Sequence, residues 1–407
     1  MTAHDAKPRL LIAGDAVAPT GYARVIHSLF SRLTTTFDIV QLGVNYSGDP
    51  HDWPWPIYRA DLAGDPYGVR RLVSLCESCD IDQVLLVNDI EIVAQCAAML
   101  AESAWSQRGR VFAYCPVDAG PLNPAHVSRL RHLDALVTYT DFAAGQIRAC
   151  ARRIAQRDAC FALPPLYILA HGIDQDVFFP LSASRKDSIR LARQRFFGSD
   201  DGDEDFIVLN ANRNQPRKRI DITMQGFADF ARDKPDTVKL FLYMGIRDKG
   251  WDIVEMAQRL GIEDRLIIYS EQGRMPCLPT EQMNLLYNAC DVGVNTSTGE
   301  GWGLVSFEHA AVGAPQIVPG HSACLELWRD CAHLLPEVYR ATSPLNMAEE
   351  CFVSPRDLAR ALEQLYRDEG ERERWGELAR RNACLDARRW DHLARQWRDL
   401  LCAAPVA

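Results

Sequence analysis

Short apolar runs alternate along this chain with stretches of helical periodicity, and that alternation narrows the possible folds more than any other feature. Runs at 10–13, 39–42, 84–87, 111–114, 136–139 and 167–170 read as strands, and the first leads into a helix over 22–33. The pattern resumes with runs at 206–210, 240–244, 266–269 and 292–295, followed by a short one at 334–335. From there the chain reads as helical, over 355–366, 372–384 and 390–402. Strands separated by helices predict an α/β protein built on parallel sheets wrapped by helices. A chain of 407 residues is too long for one ordinary core and fits two domains of about 150 to 200 residues each.

Composition removes several function classes. Apolar residues make up 47% of the chain, yet no apolar run approaches the ~20 residues of a membrane-spanning helix. The opening MTAHDAKPRLLIAGD has no apolar signal-peptide core ahead of its first strand, so a cytoplasmic protein is expected. The 13 cysteines are odd in number and scattered, as reduced thiols are. Cys76 and Cys79 form one C-x-x-C with no second pair beside it, and read as structural. A net charge of −9 argues against nucleic acid as the main partner, although arginines cluster at 148–157 and 213–219.

Residues 291–319, DVGVNTSTGEGWGLVSFEHAAVGAPQIVP, place a strand, a glycine-rich turn and an amphipathic helix in immediate succession. Glu300 lies in the turn and Glu308 in the helix. Gly299, Gly301 and Gly303 let the backbone come close to a ligand, and the helix start offers free N–H groups to a diphosphate. The alternative is an ordinary strand, turn and helix with surface glutamates. Residues 211–219 follow another strand, so the cations of that loop point toward the same crevice; Arg213 and Lys218 are five positions apart. A solvated basic loop is the competing reading. The acidic run 201–205 invites comparison with an Asp-x-Asp metal site, but it precedes its strand and reads as a solvated loop, so no metal is expected.

In the first half, residues 14–22 form a long small-residue turn after the first strand, which places Gly21, and with it Thr20 and Tyr22, at a ligand-bearing edge. A plain strand-to-helix turn capped by Gly21 is the alternative. Residues 45–58 are rich in proline and aromatics and read as a loop whose Trp53 and Trp55 either stack on an acceptor or pin the loop. Asn88 and Asp89 end one strand, and Asp118 ends another. Asp118 either orients a sugar or acceptor hydroxyl or forms the turn. His171 to Asp174 precede a Phe-Phe-Pro segment and a charged stretch, marking the domain boundary near 172–185.

Glu300, seven intervening residues and Glu308, with Gly-Trp-Gly-Leu after the first and Gly-Ala-Pro after the second, resemble the signature of retaining glycosyltransferase family 4. The resemblance is fuller over 170–400 than over the first 170 residues. It implies the GT-B fold, two Rossmann-like domains whose parallel sheets face each other across a cleft. The acceptor-side domain would span 1–175 and take back the last helix, about 388–407; the donor domain would span 176–387. It also implies that Glu300 sits against the donor sugar and Glu308 holds the ribose. Gly301, Trp302, Gly303 and Leu304 would contact the phosphates through their backbone, Arg213 and Lys218 would neutralise the diphosphate, and Gly21 would face the donor. Ile268 and Tyr269 would lie by the base, with His171 at the hinge or the phosphate side. Two departures stand out: Pro116-Val117-Asp118 where many members carry a histidine, and Arg219 where many carry glycine.

The expected activity is transfer of a sugar, with retention and without metal or cofactor, from a nucleoside diphosphate sugar (UDP- or GDP-linked) to an acceptor hydroxyl on a carbohydrate, lipid-linked or small molecule. The alternatives are glycosylation of modified DNA bases, and a catalytically idle nucleotide-sugar binder on the same scaffold.

Overall fold

The computed structural model describes residues 7–62, 64–198, 204–271, 275–344 and 346–404. The chain divides into two compact units at Gly172 and Ile173; residues 344–348 and those from Trp390 onward belong to the first.

The first unit is built on seven parallel strands: β1 (Arg9–Asp15), β2 (Asp38–Val44), β3 (Ile57–Arg59), β4 (Gln83–Val87), β5 (Arg110–Tyr114), β6 (Ala135–Thr138) and β7 (Leu166–Ile168). Their order is β3-β2-β1-β4-β5-β6-β7, so successive strands run outward in one direction from β1 and then in the other from β4. The inner strands are apolar over most of their length because helices cover the sheet, and Leu10, Leu11, Ile12, Leu85 and Phe112 are fully buried. Gly14 lies where β1 and β4 come together; a Cβ there would stand 2.8 Å from the Val87 carbonyl oxygen. The helix Gly21–Phe30 follows, capped by Thr20, whose hydroxyl accepts from the Ala23 N–H at 3.2 Å. The cap is thus Thr20, and Gly21 is the first helical residue.

The helix Trp390–Cys402 closes this unit. Trp397 is fully buried, its ring edge-on to Phe30 at 6.0 Å and to Tyr114 at 4.9 Å, and Gln83 donates to the Leu401 carbonyl at 3.1 Å.

The second unit repeats the plan with β8 (Phe206–Asn210), β9 (Val238–Tyr243), β10 (Leu266–Tyr269), β11 (Val292–Val294), β12 (Gln316–Pro319) and β13 (His333–Leu335), in the order β10-β9-β8-β11-β12-β13. The chain reverses its direction of travel between β8 and β11, which pair in parallel. Ligands of open α/β sheets collect at such a switch, outside the carboxyl ends of the strands.

Three elements depart from the expectations drawn from the sequence. Residues 57–59, partly read as loop, form the edge strand β3. The charged stretch after the boundary is a helix, Arg185–Phe197, whose buried Arg193 pairs with Asp291 at 2.7 Å. The chain beyond β13 is not helical at once: β14 (Glu337–Thr342) and β15 (Glu349–Val353) form an antiparallel hairpin. Its strands carry Glu, Arg and Thr among their apolar residues and stay half exposed, so they lack the apolar run that flags a buried strand. The thirteen cysteines are free thiols. Among the described residues no helix is long and apolar enough to cross a membrane. Asp201 to Asp203 of the acidic run lie outside the described residues.

Candidate functional site

The loops leaving β8 and β11, residues 211–219 and 295–303, start side by side at the switch point and are sewn together. The Thr296 hydroxyl donates to the carbonyls of Lys218 and Arg219 at 3.1 and 2.8 Å. Thr298 N–H donates to the Arg217 carbonyl at 2.8 Å, and the Arg217 guanidinium returns a bond to the Gly299 carbonyl at 3.0 Å. Asn214, fully buried, anchors the outer part of the first loop, bonding the Trp251 N–H and C=O at 3.0 and 2.7 Å. Arg219 closes the short turn Pro216–Lys218 at φ 48 and starts the helix Ile220–Ala231. That left-handed conformation favours glycine, which accounts for glycine being the common residue at this place in the resembled family.

This stitching brings Lys218 to Glu300. The ammonium bonds the carboxylate directly, with both side chains buried, and Arg217 stands 3.6 Å from the other carboxylate oxygen. Asn295 and Ser297 each donate to Glu300 at 3.4 Å, and its backbone N–H donates to the Ser322 hydroxyl at 3.2 Å. Burial alone would raise the Glu300 pKa, but the Lys218 and Arg217 charges outweigh it and hold the carboxyl well below its ordinary value. Glu300 is therefore an anion at neutral pH. Arg213, expected as the second cation, instead pairs with Asp248 at 2.6 Å and is 43% exposed. Arg217, which the sequence reading passed over in favour of the Arg-x4-Lys spacing, is the arginine at Glu300.

Glu308, on the helix Leu304–Ala311, is buried and accepts from the Tyr287 hydroxyl at 2.8 Å. Gly303 caps that helix at φ 89, a conformation costly to any residue with a Cβ, and Leu304 is the first helical residue. Gly301 continues the turn from Glu300. The Trp302 ring is buried, stacked on Phe307 at 4.9 Å, so its side chain is spent on packing. Ile268 and Tyr269 end the edge strand β10, with the Tyr269 ring stacked on Tyr243 at 5.8 Å and 38% exposed.

In the first unit, the carboxyl ends of β1 and β4 carry Asp15 and Asp89. Asp15 accepts from the Asn45 amide at 3.0 Å and from the Thr20 hydroxyl at 2.5 Å; Asp89 accepts from the Tyr22 hydroxyl at 2.5 Å. Burial, followed by the Asp89 charge, raises the Tyr22 pKa well above its ordinary value, so the phenol stays protonated. Asp118 lies beyond β5, partly buried, and its charge reaches the hydroxyl of Tyr139. His171 is buried between Tyr114, whose hydroxyl lies 2.8 Å from Nδ1, and the Tyr139 ring at 3.9 Å. Burial lowers its pKa to about 3, so His171 is neutral at physiological pH and brings no charge to a phosphate.

The two tryptophans of the 45–58 loop part ways. Trp55 is buried, with its indole N–H donating to Gln41 at 2.9 Å, and so pins the loop; the acceptor contact expected there is corrected. Trp53 stacks on His27 at 3.6 Å and remains 37% exposed. Among the described residues no cluster of three or more His, Cys, Asp or Glu is arranged to hold a metal ion.

Two doubly wound parallel-sheet units of this kind define the GT-B fold. Sucrose-phosphate synthase from Thermosynechococcus elongatus superposes with a TM-score of 0.73 at 16% identity, over 98% of this chain and 100% of that one. Anabaena Alr3699/HepE, solved in complex with UDP and glucose, superposes with a TM-score of 0.69 at 16% identity, over 97% and 99%. Residues 249–399 match the family model described as Glycosyl transferase-like. The chain is 25% identical over 224 residues to D-inositol 3-phosphate glycosyltransferase of Salinispora arenicola, covering 53% of this chain and 45% of that protein. It is 26% identical over 165 residues to mannosylfructose-phosphate synthase of Agrobacterium fabrum, covering 38% and 33%. The matches thus span less than half the length of these curated relatives.

Proposed function

We propose that the chain is a retaining glycosyltransferase that moves a sugar from a nucleoside diphosphate sugar, UDP- or GDP-linked, to an acceptor hydroxyl without a metal ion. One observation carries the reading: a buried ammonium and a buried carboxylate, Lys218 and Glu300, meet at the switch point beside the start of the helix Leu304–Ala311. A leaving diphosphate needs cations and N–H donors, and a sugar needs a fixed acceptor of hydroxyl hydrogen bonds; this corner supplies both. The bond from the anomeric carbon to the phosphate oxygen breaks, and its electron pair leaves with the diphosphate. The acceptor oxygen bonds the same face of that carbon, and its proton passes to a leaving phosphate oxygen. Lys218 steadies the diphosphate, Glu300 holds sugar hydroxyls and Glu308 the ribose. Arg213 joins Lys218 only by leaving Asp248, whereas Arg217 already stands at the site. Asp118 and the exposed Trp53 belong to the acceptor side.

The test is thermal-shift screening with UDP, GDP and ADP and their sugars, followed by a transfer assay in EDTA. One nucleotide that stabilises the fold defines the donor, since ligand bound only by the folded state raises its stability. Stabilisation by NAD(P) alone would overturn the reading. Duplex DNA binding with steep salt dependence would favour a DNA-base acceptor.

A further inference from the structure

The hairpin β14–β15 and Arg219 lie outside everything assigned so far, and they meet. The Arg219 guanidinium sits 4.7 Å from the ring centroid of Phe352, on β15, and 5.7 Å from that of Trp251. Its Nε donates to Asp221 at 2.8 Å. Trp251 is itself tied to the 211–219 loop by Asn214. A second tie runs from the hairpin to the other loop, where Cys351 N–H donates to the Thr298 carbonyl at 3.0 Å. The hairpin therefore grips both loops that bring Lys218 to Glu300, one through a side chain and one through the backbone. Tyr339 on β14 backs Phe352 at 5.7 Å.

The backbone at Arg219 explains why a grip is needed. A residue with a Cβ in the left-handed region is held there against a cost of about 1 kcal/mol or more. Lys218 immediately precedes it, so any relaxation at 219 swings the ammonium. We propose that the hairpin acts through Phe352 and Arg219 as a strut that positions Lys218 for the donor diphosphate, making Arg219 and Phe352 positioning residues of the site. Glycine needs no strut at this position, whereas arginine carries its own handle for one.

This rests on the function proposed above, and the experiment separates the two. The dissociation constant of whichever of UDP or GDP stabilises the wild-type protein is measured by calorimetry well below the melting temperature. The proteins compared are wild type, Arg219→Ala, Arg219→Gly, Phe352→Leu, Phe352→Tyr and the double variant Arg219→Ala with Phe352→Leu. Phe352→Leu keeps the apolar bulk and removes the ring face. The single variants Arg219→Ala and Phe352→Leu are expected to weaken nucleotide binding about tenfold, the size of a lost cation–π contact, with kcat reduced and the KM for acceptor unchanged. The double variant is expected to be no worse than the worse single, because both cut the same link. Phe352→Tyr should restore binding, and Arg219→Gly should recover much of what Arg219→Ala loses, because glycine holds the left-handed turn without a strut. Nucleotide affinity unchanged in Arg219→Ala and Phe352→Leu would overturn the strut, as would fully additive losses or an Arg219→Gly variant as impaired as Arg219→Ala. If no nucleotide binds wild type, the donor-site reading itself fails.

Discussion

A carboxylate and an ammonium shut away from water need each other, because either one alone would be a buried, uncompensated charge. Glu300 and Lys218 are in that position, so their pairing is a stability device and, on the proposed function, an obstacle that a donor would have to displace. The pH dependence follows from the depressed Glu300 pKa. At acid pH the folded state binds fewer protons at this residue than the unfolded chain does, so its contribution is complete above the unfolded value, about 4.3, and drains away as the pH falls toward the folded one. Acid unfolding measured between about pH 5 and pH 2 should be flatter in Glu300→Gln than in wild type; parallel curves would show that the pair carries no linked stability. The same variant frees Lys218 for phosphate, so UDP or GDP should bind more tightly while turnover collapses. A second residue-scale expectation concerns Tyr139, whose hydroxyl is buried without a hydrogen-bond partner. An unmet buried hydroxyl costs ~1–3 kcal/mol, so Tyr139→Phe should be as stable as wild type or more so by chemical denaturation. A clear loss of stability would show that the hydroxyl is bonded in solution.

At the scale of elements, the helix Leu304–Ala311 begins at Gly303 because φ 89 turns the chain from Glu300 into the helix within three residues. Gly303→Ala puts a Cβ into that conformation, and the helix start should shift at a cost of ~1–2 kcal/mol. Lower thermal stability together with weaker nucleotide binding is expected; normal binding in the folded variant would free the helix start from any role in the site. The placement of Glu300 in a turn and Glu308 in the helix after it was legible because the pattern is local: both, with Gly303, lie within one turn and one helix. The apolar strands were legible for the same reason, each being a run that announces its own burial. What stayed hidden depends on tertiary pairing. Which of Arg213 and Arg217 reaches Glu300 is decided by the bonds of Thr296 and Thr298, which span 77 to 81 residues and are invisible to spacing. Trp55 looked like Trp53 until Gln41 took its N–H. The hairpin β14–β15 escaped, its stretch reading with the helical remainder, because half-exposed strands with paired Arg340, Glu337 and Glu349 on their surface lack the apolar run of a buried strand.

At the scale of the whole molecule, the chain's end belongs to the unit in which it started. The helix Trp390–Cys402 fills a gap between Phe30 and Tyr114 with Trp397, and Arg32 pairs with Asp391 at 2.5 Å on the surface above. The ion pair is two-thirds exposed on its Asp391 side and is worth ~0–1 kcal/mol, so the indole decides the stability of this contact. Removing a buried aromatic side chain leaves a cavity, and Trp397→Ala should cost ~3–5 kcal/mol, whereas Asp391→Asn should cost less than ~1. The loss should also be local. The second unit has its own core around Val208, Phe227, Leu240 and Leu358. Hydrogen exchange in Trp397→Ala should therefore quicken at the amides of β1, β4 and β5 while those of β8, β9 and β11 keep wild-type protection, and UDP or GDP binding at Lys218 should persist at temperatures where the first unit is intact. Equal loss of protection in both sheets would mean that the two units unfold as one cooperative body, and the assignment of the last helix to the first unit alone would have to be abandoned.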